Sequence, residues 1–168
     1  MKKWSWLAAA VVIADQLVKW VSSSLRTEVM LIPGVLRFTY AQNTGMAFSL
    51  FSGQAWLLGV VSVAAIVIGW LVLRGYRLGT ISRIAAMLML GGAVGNMIDR
   101  FAYGYVVDMF EVLFVRFAVF NVADAALTVG AGLMAVSLML CPEDWKQEQG
   151  GTKDGEPAHD GSADRSDG

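Results

Sequence analysis

The chain has 168 residues, of which 56% are hydrophobic and 16% are charged. Soluble domains are usually about 45–50% apolar and about 25% charged, so this composition indicates an integral membrane protein with a single domain. The net charge of −1 is unevenly distributed, because residues 1–141 carry ten bases and six acids whereas residues 142–168 carry three bases and eight acids. Neither part is basic enough to predict a nucleic-acid partner.

Residues 4–21 form the first predicted span, which is close to the ~20 apolar residues that cross a bilayer. Lys2 and Lys3 precede it as in a signal peptide. However, Asp15 and Lys19 interrupt the apolar run and no convincing small-x-small cleavage site follows, so we predict a retained signal-anchor. Asp15 and Lys19 stand four residues apart with the acid first, which favours an ion pair. The pair is either a snorkelling pair at the interface or a brace for a nearby site.

Residues 22–55 are predicted to lie outside the membrane and to contain β-structure. Pro33-Gly34 indicates a turn, and residues 35–40 have the β-branched and aromatic composition of a strand. Asn43-Thr44-Gly45 suits a second turn, in which the glycine allows close backbone approach. This segment could also be an ordinary hairpin loop.

The second predicted span, residues 56–73, is apolar throughout, and the loop after it carries three arginines and no acid. The positive-inside rule places this loop and the N-terminus in the cytoplasm. The third predicted span covers residues 84–100, where Gly91 and Gly95 have the GxxxG spacing of closely packed helices. Near its end, Asn96 and Arg100 are four residues apart on one helix face. We expect Asp99 to pair with Arg100 or to cap the helix locally.

Residues 101–118 return to the outer side and place Asp108 just beyond the third span. The fourth predicted span covers residues 117–140, with Asn121 and Asp124 in its first turns. The predicted fold is therefore an all-α integral membrane protein of four transmembrane helices, with a small extracytoplasmic β-containing segment between the first and second spans. Residues 1–141 form the membrane domain, and residues 142–168 form a disordered acidic cytoplasmic tail.

The charged groups in and beside the spans converge on one side of the membrane. Apart from the arginines of the cytoplasmic loop, every ionisable group in or at the ends of the spans falls toward the extracytoplasmic face. This set comprises Asp15, Lys19, Arg100, Asp108 and Asp124. Unrelated snorkelling charges would be expected at both ends of the spans. Because a charged group within lipid costs ~2.5–3.5 kcal/mol on insertion scales, this grouping predicts a functional site.

Asp108 and Asp124 are the candidate reactive groups of this site. The single cysteine, Cys141, and the single histidine, His159, fit neither a zinc site nor a histidine-based triad, so carboxylates and amides remain. Two close carboxylates share one proton, and such a pair can activate water with one member and protonate a carbonyl oxygen with the other. The pair could instead be a structural acid and a helix cap. A transporter or proton-conducting protein could also use these acids as a relay, and a non-enzymatic membrane scaffold could carry them without chemistry.

Several short motifs, in a fixed order, resemble those of the lipoprotein signal peptidases, the bacterial type II signal peptidases. They are Asp15-Gln16-x-x-Lys19, Asn43-x-Gly45-x-Ala47-Phe48-Ser49, Gly95-Asn96-x-x-Asp99-Arg100, Val106-Val107-Asp108 and Phe120-Asn121-x-Ala123-Asp124. Together they cover residues from about 10 to 130 and are specific, although each alone is weak. Met109 departs from the pattern, since an aromatic residue is expected after the aspartate. The acidic tail lies outside the shared pattern.

The resemblance implies a four-span aspartic endopeptidase of the bacterial cytoplasmic (inner) membrane. Its substrates would be diacylglyceryl-modified prolipoproteins, cut on the N-terminal side of the lipidated cysteine to release the signal peptide. Asp108 and Asp124 would be catalytic, and the supporting or substrate-binding residues would be Asp15, Lys19, Asn43, Gly45, Asn96, Asp99, Arg100 and Asn121. Globomycin is the implied inhibitor class, and no metal or organic cofactor is implied. We expect a monomer with both termini in the cytoplasm and an active site near the extracytoplasmic face.

Overall fold

The computed structural model describes residues 4–45, 50–142 and 145–147. Within them are four helices that are long and apolar enough to cross a membrane. These are α1 (Ser5–Leu25), α2 (Ala55–Leu73), α3 (Thr80–Tyr103) and α4 (Val122–Leu140). At 1.5 Å per residue the shortest of them extends over ~28 Å, which matches a hydrocarbon core of ~30 Å. The four predicted spans are therefore present as helices, and the protein is a transmembrane protein.

The ends of these helices differ from the predicted limits for local reasons. α3 continues from residue 100 to Tyr103 and ends at Gly104, whose φ of 76° is the left-handed conformation that glycine adopts without strain. α4 begins at Val122 instead of residue 117, because Asn121 forms a capping box with Asp124. Phe120, immediately before the cap, pairs with a strand and not with the helix.

α3 is the central helix and packs against α1, α2 and α4. Its glycines allow the close approach that their spacing predicts. A Cβ on Gly91 would lie 2.8 Å from the carbonyl oxygen of Ala8 in α1, and one on Gly95 would lie 2.7 Å from a carboxylate oxygen of Asp15. Gly92 lies against the backbone carbonyl of Ala123 in α4. α1 and α4 therefore approach α3 closely at glycine positions, where α3 has no side chain.

A three-stranded antiparallel sheet lies at one end of the bundle, which we call the site end. Its strands are β1 (Val29–Ile32), β2 (Leu36–Asn43) and β4 (Val106–Val112), in the order β1-β2-β4. The segment between the first two helices therefore does contain β-structure. The third strand, however, comes from the connection between α3 and α4, where no strand was predicted. Ala41 lies opposite Asp108, and a bulge follows Phe38 on the same strand.

A second, two-stranded sheet lies at the opposite end, where β3 (Tyr76–Leu78) pairs with β5 (Trp145–Gln147). β5 falls inside residues 142–168, for which disorder was predicted, so the prediction is wrong for these three residues. The rings of Trp145 and Tyr76 meet edge to face at 5.7 Å, and the Trp145 indole N–H donates a 3.2 Å hydrogen bond to Ser137 Oγ. Residues 143–144 and 148–168 of the predicted tail lie outside the described residues.

Trp145 is expected to contribute to stability through this contact. Trp145→Ala removes an aromatic pair worth ~0.5–1.5 kcal/mol and a hydrogen bond worth ~0.5–1.5 kcal/mol. The Tm in detergent should therefore fall by several degrees. Trp145→Phe keeps the ring and loses the N–H, so its Tm should lie between those of Trp145→Ala and the parent chain. Deletion of residues 148–168 serves as the control. A Tm loss in that control as large as that of Trp145→Ala would contradict the assignment.

Candidate active site

Asp108 and Asp124 line the same cleft at the site end. The cleft has a volume of about 530 Å³. Its polar lining consists of Asn43, Asn96, Arg100, Asp108, Asp124 and Thr128. Its other wall is apolar and is formed by Val106, Phe117–Phe120, Ala125, Leu127 and Val129. The predicted convergence of carboxylates, amides and one arginine is therefore present in the fold.

Two asparagine amides connect the aspartates. Asn121 Nδ2 donates to Asp108 Oδ1 at 2.7 Å and to Asn96 Oδ1 at 3.1 Å. Asn96 Nδ2 in turn donates to Asp124 Oδ1 at 2.7 Å. Because Asn121 and Asn96 are buried, these bonds fix the two carboxyl groups relative to each other with little freedom.

Asp124 lies at the N-terminus of α4, a position that favours negative charge. Its Oδ2 accepts the backbone N–H of Asn121 at 3.3 Å, and its own N–H donates to Asn121 Oδ1 at 2.8 Å. The exposed N–H groups of the first helical turn carry a partial positive charge. Asp124 is half-buried, and its side chain lines the cleft.

Asp108 has a different environment, in the middle of β4. Burial raises the pKa of its carboxyl to about 6, and the charge of Asp124 adds to the increase. Hydrogen bonds from Asn43 and Asn121 act in the opposite direction, with Asn43 Nδ2 donating to Asp108 Oδ2 at 3.0 Å. Asp108 therefore takes up a proton at a pH where an ordinary aspartate is ionised. Met109, the next residue and the departure from the family pattern, is completely buried.

Beneath the cleft lies a buried ionic cluster centred on Lys19. Its ammonium contacts Asp15 Oδ2 at 2.8 Å, Asp99 Oδ2 at 2.9 Å and Asn96 Oδ1 at 2.9 Å. The side chains of the three charged residues are at most 4% exposed. The predicted pairing of Asp15 with Lys19 is present, but Asp99 pairs with Lys19 and not with Arg100. The ammonium of Lys19 reaches Asp99 because α1 and α3 are adjacent.

The two acids of this cluster also bind the backbone of the elements that carry Asp108 and Asp124. Asp15 Oδ1 accepts the N–H of Ala123, in the first turn of α4, at 2.9 Å. Asp99 Oδ2 accepts the N–H of Val107, the residue before Asp108, at 3.2 Å. The cluster is therefore connected by one hydrogen bond to each element of the candidate site.

Arg100 connects the cleft to the loop after β2. Its Nη2 donates to the carbonyl of Gly45 at 3.3 Å, and its Nη1 donates to the carbonyl of Asn96 at 3.4 Å. Nε is buried and has no hydrogen-bond partner among the described residues. Gly45 is also held by Asn43 Oδ1, which accepts its N–H at 2.9 Å, and it packs against the backbone of Leu50. A side chain at Gly45 would not fit.

All ten predicted site residues thus belong to one connected region, but Gln16 was not among them. Its Nε2 donates to Asp99 Oδ1 at 2.9 Å, to the Gly95 carbonyl at 3.2 Å and to Asp15 Oδ2 at 3.3 Å. The sequence feature that could have identified Gln16 was an amide side chain next to Asp15 inside an apolar run. Among the described residues, no group of three His, Cys, Asp or Glu side chains could hold a metal ion.

Comparisons with known proteins agree on one family. The sequence profile of the family described as "Signal peptidase (SPase) II" matches residues 7–140. A lipoprotein signal peptidase of Latilactobacillus sakei is 41% identical over 138 residues, which cover 80% of this chain and 91% of the relative. A lipoprotein signal peptidase of a Nostoc species is 46% identical over 143 residues, covering 82% and 90%.

The fold is also similar to that of a solved protein. A structure described as a bacterial membrane enzyme, determined by the in meso method, superposes with a TM-score of 0.77 at 26% sequence identity. The match covers 90% of this chain and 96% of that chain. The four helices and the small sheet therefore correspond to the fold of a membrane enzyme.

The buried cluster is expected to be a major determinant of stability. Lys19→Met leaves Asp15 and Asp99 buried without a counter-ion, and breaking a buried ion pair costs ~3–5 kcal/mol. The free energy of unfolding, measured in detergent with denaturant, should fall by this amount. Arg37→Met is the matched control, because Arg37 bonds two acids, Glu28 and Glu111, at the protein surface. Surface ion pairs contribute little, so equal losses in the two variants would contradict the special role of Lys19.

Proposed function

The chain belongs to the signal peptidase II family, and on this basis we propose that it is an aspartic endopeptidase acting on diacylglyceryl-modified prolipoproteins. Membership makes it a peptidase of lipoprotein processing in the bacterial inner membrane. The proposal adds that Asp108 and Asp124 perform the hydrolysis and that the cut falls on the N-terminal side of the lipidated cysteine. The observation that carries it is the fixed pair of unlike carboxyl groups in one cleft. One is at a helix N-terminus and the other is buried in a strand with a raised pKa.

The different environments of the two carboxyls assign their roles. Asp124 acts as the base and takes a proton from a water molecule, whose oxygen attacks the scissile carbonyl carbon. Asp108 is protonated and gives its proton to the carbonyl oxygen, so that a neutral tetrahedral diol forms. In the second step Asp108 takes back a hydroxyl proton as the carbonyl reforms. Asp124 donates its proton to the leaving nitrogen, the C–N bond breaks, and both carboxyls return to their starting states.

Arg100 and the amides serve this chemistry by holding groups in place. Arg100 lines the cleft, and its Nη1 and Nη2 groups bind the carbonyls of Asn96 and Gly45. Asn96, Asn121 and Asn43 hold the carboxylates and one another through four hydrogen bonds of 2.7, 2.7, 3.0 and 3.1 Å. Correct placement of reacting groups lowers the entropic part of the barrier, and this is the role we assign to these side chains.

The position of the site suits a substrate that is anchored in a membrane. The cleft opens beside α4, where its wall changes from polar to apolar at Leu127 and Val129. A diacylglyceryl group and a signal-peptide helix would lie against the apolar wall, while the scissile peptide bond reaches the carboxyls. By the positive-inside rule, the arginines between α2 and α3 support a cytoplasmic position for the opposite end of the bundle, and in our proposal the site faces the extracytoplasmic side. Globomycin-type cyclic peptides would compete for the same cleft.

The aspartate assignment is tested by cleavage of a diacylglyceryl-modified prolipoprotein in detergent. Asp108→Asn and Asp124→Asn should each lower kcat by at least about a hundredfold, since general acid–base groups contribute ~10²–10⁴. Glu111→Gln is the control, because Glu111 lies in the same strand as Asp108 but binds Arg37 outside the cleft. Mass spectrometry of the product identifies the bond that is cut. Full activity in either aspartate variant would refute the assignment, and ion flux without cleavage would favour a transporter.

The raised pKa of Asp108 predicts the alkaline side of the pH profile. The proton that Asp108 donates is lost as the pH rises through about 6, so kcat/KM should fall above that pH. Asn43→Ala removes a hydrogen bond that favours ionised Asp108, so the fall should move to higher pH.

Gln42→Ala provides the matched control for the pH profile. Gln42 precedes Asn43 in β2, and its amide donates to the Tyr40 hydroxyl at 2.8 Å, not to an aspartate. Its profile should coincide with that of the parent enzyme. A shift of the Asn43→Ala profile to lower pH, or an unchanged profile, would show that Asp108 is not the proton donor.

A further inference from the structure

The sheet at the site end has one apolar face that continues beyond the cleft. Directly paired residues of antiparallel strands project to the same face, and so do residues two apart along a strand. The register therefore places Asp108, Phe110 and Val112 on one face together with their partners on β2 and β1. Those partners include Phe38, Leu36, Val29 and Ile32. Starting from Asp108, this face is apolar for ~13 Å along the strands.

The opposite face of the sheet is polar at the same distance from the cleft. There Arg37 lies between Met30 and Glu111, and it bonds Glu111 at 2.6 Å and Glu28 at 2.7 Å. Toward its free end the sheet thus carries ion pairs beside the exposed Met30 on one side, and only aliphatic and aromatic side chains on the other. Nearer the bundle, Val107 and Met109 on the ion-paired side are buried.

The free end of the sheet extends the apolar face. The Leu113 N–H donates to the Val35 carbonyl at 2.9 Å, so the β1–β2 turn and the loop after β4 form one tip. Ile32, Val35, Phe114, Val115 and Phe117 are all exposed there, with Phe114 at 72%. The one charged side chain of residues 113–117 is Arg116, which is exposed. Exposed apolar patches of this kind mark surfaces that contact a partner or a membrane.

Side chains typical of the membrane interface lie at the same end of the bundle as this sheet. Trp20 near the end of α1, Trp56 at the start of α2 and Tyr103 at the end of α3 are exposed at the site end. Exposed Trp and Tyr at helix ends lie at the membrane–water interface. β1 begins four residues after α1 ends, and β4 begins three residues after α3 ends. The headgroup layer is ~5–8 Å thick on each side, so the sheet cannot be far from it.

We propose that the apolar face of the sheet and the loop of residues 113–117 rest in the interfacial layer of the bilayer, with phospholipid as the partner of this surface. The ion-paired face then points to water. Arg116 is positioned to contact lipid phosphates, while Phe114 and Val115 reach the upper acyl chains. The sheet acts as an interfacial anchor in addition to the four spans. This inference depends on the membrane-spanning helices and not on peptidase activity.

Site-directed spin labelling in phospholipid vesicles tests whether the sheet and this loop lie in the interfacial layer. Cys141→Ser removes the chain's cysteine, and Ile32→Cys, Phe114→Cys and Glu28→Cys are labelled one at a time in that background. Oxygen concentrates in lipid, whereas a nickel chelate stays in water, so their relaxation effects report the depth of each label. Labels at 32 and 114 should show an oxygen-to-chelate accessibility ratio severalfold higher than the label at 28. A Tm in detergent and a far-UV circular dichroism spectrum equal to those of the unlabelled chain show that each labelled protein is folded.

Three outcomes would overturn the proposal. Equal ratios at positions 28, 32 and 114 would place the tip in water. Protection from both reagents that grows with the protein-to-lipid ratio would mean that a second copy of the chain covers the face. A tip that is exposed to the chelate until a lipidated substrate peptide is added would mean that substrate, and not lipid, occupies it.

Discussion

The ammonium of Lys19 is the group on which the arrangement of the site depends. It joins carboxylates from α1 and α3 in a place where neither could remain charged alone, because burying an ion without a partner costs several kcal/mol. Asp15 and Asp99 are then able to accept backbone N–H groups from α4 and β4. A single cation thus sets the distance between three helices and one strand. The carboxyls of Asp108 and Asp124 are placed by that frame and not by their own contacts alone.

The two aspartates illustrate how one residue type is given two environments. Asp124 lies in the first turn of α4, near the positive end of the helix dipole, and lines the cleft. Asp108 lies in a strand, is 2% exposed, and has a raised pKa, which favours the acid. The Asn121 and Asn96 amides join them through hydrogen bonds, so a displacement of either carboxyl costs at least one buried bond. Unlike environments and a rigid connection are the two requirements of a carboxyl pair that exchanges protons in turn.

Sequence reasoning located the spans and the acids that line the cleft because both leave strong local signals. Apolar runs of span length are distinctive, and acids near such runs are costly enough to attract attention. Pairing across distant segments leaves no such signal. The ion pair between Asp99 and Lys19 joins residues 80 positions apart in the chain. It follows only from the packing of α1 on α3. β4 was missed because the strand with which it pairs, β2, begins 70 residues earlier in the chain and because β4 lies among interfacial aromatics. β5 was missed because three residues in a polar tail carry no periodicity.

The hydrogen bond between Asp15 and Ala123 has a consequence for the order of synthesis. It joins residues 108 positions apart and closes the site around the last helix of the chain. A nascent chain that has inserted three helices already contains Lys19, Asp15 and Asp99, but it lacks the cap at Asn121 and the carboxylate of Asp124. Under the proposed role of Asp124, proteolytic competence is acquired only when the ribosome has delivered α4 to the membrane. An incomplete product has no cutting centre with which to damage its neighbours.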